Sequence, residues 1–169
     1  MESVIKRFSI KRFINELKVK PFIIALAIPF GVQLLSYFVT KGSMDFYGEI
    51  NKPPLAPPGW LFPVVWTVLY ALMGISSYII WDEKSEYTKE ALTIYGIQLA
   101  FNFCWSIFFF VMQSFLLSFI WLCGLFILIF IMIAAFRKIN PFAAYLQVPY
   151  ALWVIFAGYL NAGIFMLNR

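Results

Sequence analysis

Residues 46–81 read FYGEINKPPLAPPGWLFPVVWTVLYALMGISSYIIW. Pro53, Pro54, Pro57 and Pro58 each lack an amide donor and carry a fixed φ, so none of them can lie inside a helix. Together they form a stiff, extended entry segment. Pro63 fits a first helical turn, where its amide would be unpaired anyway. Beyond it runs an uncharged, aromatic helix of membrane-spanning length. Trp66, Tyr70, Ser77 and Trp81 recur at helical spacing and share one face. Such a face suits the wall of a pocket, and equally a packed contact between helices.

The rest of the chain repeats this apolar character. Of 169 residues, 63% are hydrophobic, 21% aromatic and 12% charged, about half the charge of an ordinary soluble domain. The expected fold is an all-α integral membrane bundle of five transmembrane helices. A basic tail over residues 1–20, with Lys6, Arg7, Lys11, Arg12, Lys18 and Lys20, is expected to lie on an anionic leaflet. The five-helix domain occupies 21–167, with spans at about 21–40, 60–81, 91–113, 114–136 and 142–167. No charge interrupts Ala91 to Phe136. As helix that run would measure roughly 69 Å, over twice the hydrocarbon core, so it must fold back once. Gln113-Ser114 is its most polar midpoint. Pro29 and Gly31 are expected to kink the first span and Pro149 to bend the fifth.

Lys84, Lys89, Arg137, Lys138 and the basic tail fall on one side of this layout; Lys41, Lys52 and Arg169 fall on the other. That asymmetry predicts the N-terminus inside and the C-terminus outside. A bacterial cell membrane is the expected location. The net charge of +5 is accounted for by orientation, and no nucleic-acid partner is implied.

The chain contains no histidine, which removes the usual general base, haem ligand and commonest zinc ligand. Cys104 and Cys123 sit in apolar runs and read as packing residues, with no metal site. No acidic residue lies within a span, which argues against proton-coupled export. No conventional catalytic set is present, and no cofactor is expected.

In the third span Gly96, Ala100 and Cys104 form a small-residue stripe, suited to close packing on another helix, in this chain or in a second subunit. Gln98, Asn102, Trp105 and Phe109 lie on the opposite side. Trp153, Ala157 and Asn161 share a face of the fifth span. Asn102 and Asn161 must point inward, because an amide in lipid needs a partner. They act either as glue between helices or as ligand contacts.

These residues resemble a known family. Phe46-Tyr47, Lys52-Pro53, Pro57-Pro58, Pro63-Val64-Val65-Trp66, Leu69-Tyr70 and Met73-Gly74 are similar to the translocator protein family. Its bacterial members are the tryptophan-rich sensory proteins and its animal member the peripheral benzodiazepine receptor. Gln98 to Asn102 with Trp105 and Phe108-Phe109, and Pro149-Tyr150 with Trp153, Phe156-Ala157 and Leu160-Asn161, extend the match in order over about 21–167. The resemblance implies a five-helix bundle, commonly a homodimer, that binds protoporphyrin IX or similar flat hydrophobic molecules in a cavity under the first loop.

Carried onto this chain, the ligand-binding residues are Trp66, Tyr70, Asn102, Trp105, Phe109, Trp153, Ala157 and Leu160. Trp66 and Trp153 would face the macrocycle and take part in any light- and oxygen-dependent porphyrin breakdown. Transport of porphyrins or other amphiphiles is a third reading. Without histidine, a free-base tetrapyrrole suits the site better than haem. The sequence departs from the family at Leu55 and Phe46, where tryptophan is usual, and at Trp121, where an acidic residue is common. Ala162 stands at the tyrosine of the animal sterol motif.

Overall fold

A computed structural model describes residues 17–43 and 45–169; the expectation for the basic tail therefore lies almost wholly outside the described residues. Among the described residues seven α-helices follow in order: α1 (Val19–Thr40), α2 (Phe46–Glu49), α3 (Leu61–Asp82), α4 (Thr88–Ser106), α5 (Phe115–Ile139), α6 (Pro141–Tyr145) and α7 (Val148–Leu167). A 3-10 turn, Lys41–Ser43, follows α1, and a π turn, Ile107–Val111, extends α4. Among the described residues there is no strand. Five helical segments of the described residues are long and apolar enough to cross a membrane, and the protein is a multi-pass membrane bundle.

The fold-back falls at Gln113, whose φ of 50° lets the chain reverse between α4 and α5. The fifth span breaks at Leu146-Gln147, between α6 and α7, in the turn that precedes Pro149, where a proline obstructs the helix. Pro149 sits in the first turn of α7, where a missing amide costs nothing. The start of α6 is set by Asn140, whose side chain accepts from the Phe142 and Ala143 amides at 2.9 and 3.3 Å. That cap starts a separate short helix. Ser76 fixes this helix to α3 by donating to the Ala143 carbonyl at 2.7 Å. Pro29 lies inside α1, which runs without interruption to Thr40.

α1 packs on α3 and α4, while α5 packs on α4 and α7. The core lies among α3, α4, α5 and α7, with Met73, Ile80, Leu125, Ile129 and Met132 fully buried. α1 is peripheral, and its Ile23, Leu35 and Phe38 face outward. Lipid is as apolar as leucine, so burying these side chains against other helices would gain little; close backbone approach and interhelical hydrogen bonds hold such a bundle. Gly74 is where α1 crosses α3. A Cβ there would lie 2.9 Å from Leu26 Cα and 3.0 Å from the Ala25 carbonyl.

The entry segment is less uniformly extended than its prolines suggest. It begins with the α2 turn, and Leu55 holds a φ of 68° at 81% exposure. It is fastened to α7. Asn168 receives the Asn51 amide at 2.9 Å and donates to the Asn51 carbonyl at 2.8 Å. Tyr159 donates to the Pro54 carbonyl at 2.7 Å. Pro53 rests on Gly163, where a Cβ would lie 2.6 Å from the proline ring. Gly163→Ala is therefore expected to lift the loop off α7, read as faster proteolysis near Leu55 with the helical circular dichroism retained.

Candidate functional site

A cavity of about 470 Å³ lies among α1, α3 and α4. Trp66 forms one wall, stacked on Tyr70 with ring centroids 5.3 Å apart and planes at 30°. Tyr70, one turn deeper, donates to Asn102 Oδ1 at 2.6 Å. The Asn102 amide donates to the Tyr150 hydroxyl at 3.2 Å, and that hydroxyl donates to Gln98 Oε1 at 3.0 Å. Four buried polar side chains from three helices thus form one chain of hydrogen bonds beside the cavity. Low dielectric strengthens each link and fixes the rings in place.

The eight sequence-predicted residues divide into two groups. Trp66, Tyr70, Asn102 and Trp105 line the cavity. Phe109, Trp153, Ala157 and Leu160 are not among its lining residues. Phe109 is buried and stacked on Trp105 at 5.2 Å. Trp153 stands behind Phe62, with centroids 5.9 Å apart, and Phe62 is the residue that reaches the cavity. Ala157 and Leu160 are buried on α7.

The π turn accounts for one displacement. Met112 donates to the Ile107 carbonyl at 2.9 Å, a five-residue step. A regular helix would keep position 109 on the face of Asn102 and Trp105. The wider turn carries Phe110 to the cavity instead, a local adjustment often found beside functional sites. Phe46 then fills the space next to it, within 6.2 Å of Phe109, Phe110 and Phe115.

The remaining wall comes from α1: Phe30, Gln33, Ser36, Tyr37 and Thr40. Sequence reading passed over them, though a signal existed. Gln33, Ser36 and Thr40 are the polar residues of an otherwise apolar span and share a face, and polar side chains in lipid turn inward. Gln33 donates to Thr67 Oγ1 at 3.1 Å and ties α1 to α3. The Ser36 hydroxyl has no hydrogen-bond partner.

Asn161 acts as glue. Its Oδ1 accepts from Trp105 Nε1 at 3.2 Å, and its amide donates to the Phe115 carbonyl at 2.8 Å. It thereby joins α4, α5 and α7 and orients the Trp105 ring. Asn161→Leu would leave a buried indole N–H and a carbonyl unpaired. The expected cost is about 2 kcal/mol, read as a lower melting midpoint in detergent.

Trp81 is 39% exposed at the far end of α3, away from this cavity. Cys123 faces outward on α5, while Cys104 is half-buried. Trp121 donates to the Phe101 carbonyl at 2.8 Å and stacks on the Phe101 ring at 4.3 Å, so it secures α5 to α4. Lys52, in the loop, turns back to donate to the Tyr47 carbonyl at 2.8 Å and covers the Tyr47 ring. Burial raises the Tyr47 phenol above its usual pKa.

With this geometry in view, the comparisons are specific. The model of the TspO/MBR family matches residues 23–167, which contain all the cavity residues. A tryptophan-rich protein TspO of Chlorobaculum tepidum is 37% identical over 153 residues, covering 86% of this chain and 97% of the relative. A translocator protein of Ovis aries is 35% identical, covering 82% and 84%. A tryptophan-rich sensory protein of Cereibacter sphaeroides is 33% identical, covering 73% and 77%. A match across nearly the whole bundle, together with relatives at this identity, places the chain in the TspO/MBR family.

Proposed function

We propose that the protein is a membrane receptor or sensor that binds a flat hydrophobic ligand of the tetrapyrrole class in the cavity among α1, α3 and α4. One observation carries the reading: an indole wall at Trp66 stands over a fixed polar floor, Tyr70 and Asn102, in a hollow whose surface is mainly apolar. Indole stacks on a macrocycle face and contributes about 0.5–1.5 kcal/mol beyond area burial. The names of the relatives, sensory and translocator proteins, support the receptor class.

The test is titration of the purified protein with protoporphyrin IX, followed by the shift of the Soret band. Saturable binding is expected, and Ser106→Trp, which fills the cavity from α4, should abolish it. Binding untouched by that substitution would move the site elsewhere.

Light- and oxygen-dependent porphyrin breakdown is a second reading, favoured by Trp66 at the wall in stacked contact with Tyr70. Illuminating the complex in air should bleach the Soret band, more slowly in Trp66→Phe. Bleaching no faster than in protein-free micelles would leave binding alone. The proposal includes an inside N-terminus, from the Lys/Arg distribution, and a homodimer. Gly96 and Ala100 lie exposed on the outer side of α4, with Cys104 half-buried beside them. Ala100→Leu is expected to reduce crosslinked dimer.

A further inference from the structure

The C-terminal end of α5 carries a groove that shares no residue with the cavity at Trp66. No charged residue occurs between Ala91 and Phe136, so Arg137 and Lys138 mark the level at which α5 leaves the hydrocarbon. Phe130, Ala134, Arg137 and Lys138 follow at helical spacing on one side of α5, away from the buried Ile129, Met132 and Phe136. All four are exposed. Ala134 is the small residue among long ones. The shortfall leaves an open groove of about 520 Å³, bounded by Phe130 and Ile133 toward the bilayer centre and by Arg137 and Lys138 at the helix end. Phe126 sets its ring edge-on against Phe130 at 4.7 Å, which stiffens the apolar end. Among the described residues neither Arg137 nor Lys138 forms an ion pair. Two acids at the same end of the bundle are already engaged: Asp82 pairs with Lys18 at 2.6 Å, and Glu83 accepts from Asn140 at 2.6 Å.

We propose that this groove binds an anionic glycerophospholipid, with the phosphate against Arg137 and Lys138 and the upper part of one acyl chain over Ala134 toward Phe130. Charge complementarity selects the occupant. A guanidinium forks onto phosphate oxygens, and the lysine adds a point charge beside it. Phe130 lies about 10 Å along the helix from Arg137, so the aromatic ring meets the chain just below the headgroup. A zwitterionic lipid offers the same phosphate but brings its own cation, which two basic side chains repel. Near a membrane surface each Lys or Arg strengthens attraction to anionic lipid about fivefold, so the pair should favour an anionic headgroup by about tenfold or more. This binding does not depend on what occupies the cavity at Trp66.

The test uses phosphatidylglycerol carrying a diazirine near the top of one acyl chain, photolysed with the protein in phosphatidylcholine nanodiscs. Labelled residues are mapped by mass spectrometry. Saturable labelling at Phe130, Ile133 and Ala134 is expected, displaced by unlabelled phosphatidylglycerol. The matching phosphatidylcholine probe should label these positions about tenfold less. Arg137→Gln together with Lys138→Gln should raise the half-saturating fraction of phosphatidylglycerol about tenfold. Ala134→Trp, which fills the groove and keeps both charges, should abolish labelling at Phe130 and Ile133. Lys84→Gln together with Lys89→Gln removes two charges from the same end of the bundle and should leave the labelling unchanged. Circular dichroism and monodispersity confirm that the variants are folded. Equal labelling by the two probes, or labelling as strong at outward positions such as Ile120 and Leu152, would mean ordinary surrounding lipid and overturn the proposal. So would an equal loss in the Lys84 and Lys89 variant, which would trace the effect to diffuse surface charge.

Discussion

Replacing Gly74 with valine is expected to detach α1 from the bundle. The Cβ alone would meet Leu26 Cα at 2.9 Å and the Ala25 carbonyl at 3.0 Å. These are backbone atoms, so no side-chain rotation relieves the clash. Overpacking of this kind costs about 1–3 kcal/mol in a well-packed core. Elsewhere α1 is held to α3 by the Lys18–Asp82 pair and by Phe22 set edge-on against Tyr78. Its outward side chains are equally at ease in lipid, so the crossing must be held by close contact and the Gln33–Thr67 hydrogen bond. The expected readout is a lower melting midpoint and new protease sensitivity within α1, with α3 to α7 still helical. α1 is a wall of the cavity at Trp66, so porphyrin binding should be lost with it. A Gly74→Val protein with an unchanged melting midpoint and full porphyrin binding would show that the crossing is not the fastening point.

The second large effect separates two tryptophans that sequence treats alike. Trp66→Ala is expected to weaken protoporphyrin IX binding by about thirtyfold. That corresponds to about 2 kcal/mol, combining lost stacking with lost burial of the indole. Trp153→Ala should change it by no more than about threefold, since Phe62 lies between that indole and the cavity. Both affinities can be read from the Soret titration, with circular dichroism as a fold control. Equal losses at the two positions would mean that the ligand displaces Phe62 and reaches α7. Loss at Trp153 alone would place the ligand on the α7 side and remove the cavity among α1, α3 and α4 from consideration.

The aromatic floor depends on hydrogen bonds that single positions cannot reveal. Tyr70, Asn102, Tyr150 and Gln98 each read as a polar residue in lipid, which dictates that they point inward. Their linkage in one chain requires α3, α4 and α7 to meet at one level. Asn161 shows the same division. Its need for a partner follows from its amide, while the choice of Trp105 and Phe115 follows from where α4 and α5 end.

Sequence by itself determined the number of spans, the reversal at Gln113 and the inward facing of the polar residues. Each follows from local chemistry: the length of an apolar run against the bilayer, a polar pair at the middle of that run, an amide that cannot remain unpaired in lipid. It also singled out Trp66, Tyr70, Asn102 and Trp105. Tertiary structure alone decided that α1, an apparently plain hydrophobic helix, forms a wall of the cavity, because its polar face at Gln33, Ser36 and Thr40 turns toward α3 and α4. It decided as well that Phe110 and not Phe109 reaches the hollow, since a π turn shifts the helical register in a way that periodicity assumes away. The placing of Phe62 in front of Trp153 is likewise a matter of how two helices face each other, and no spacing along one chain segment carries that distance.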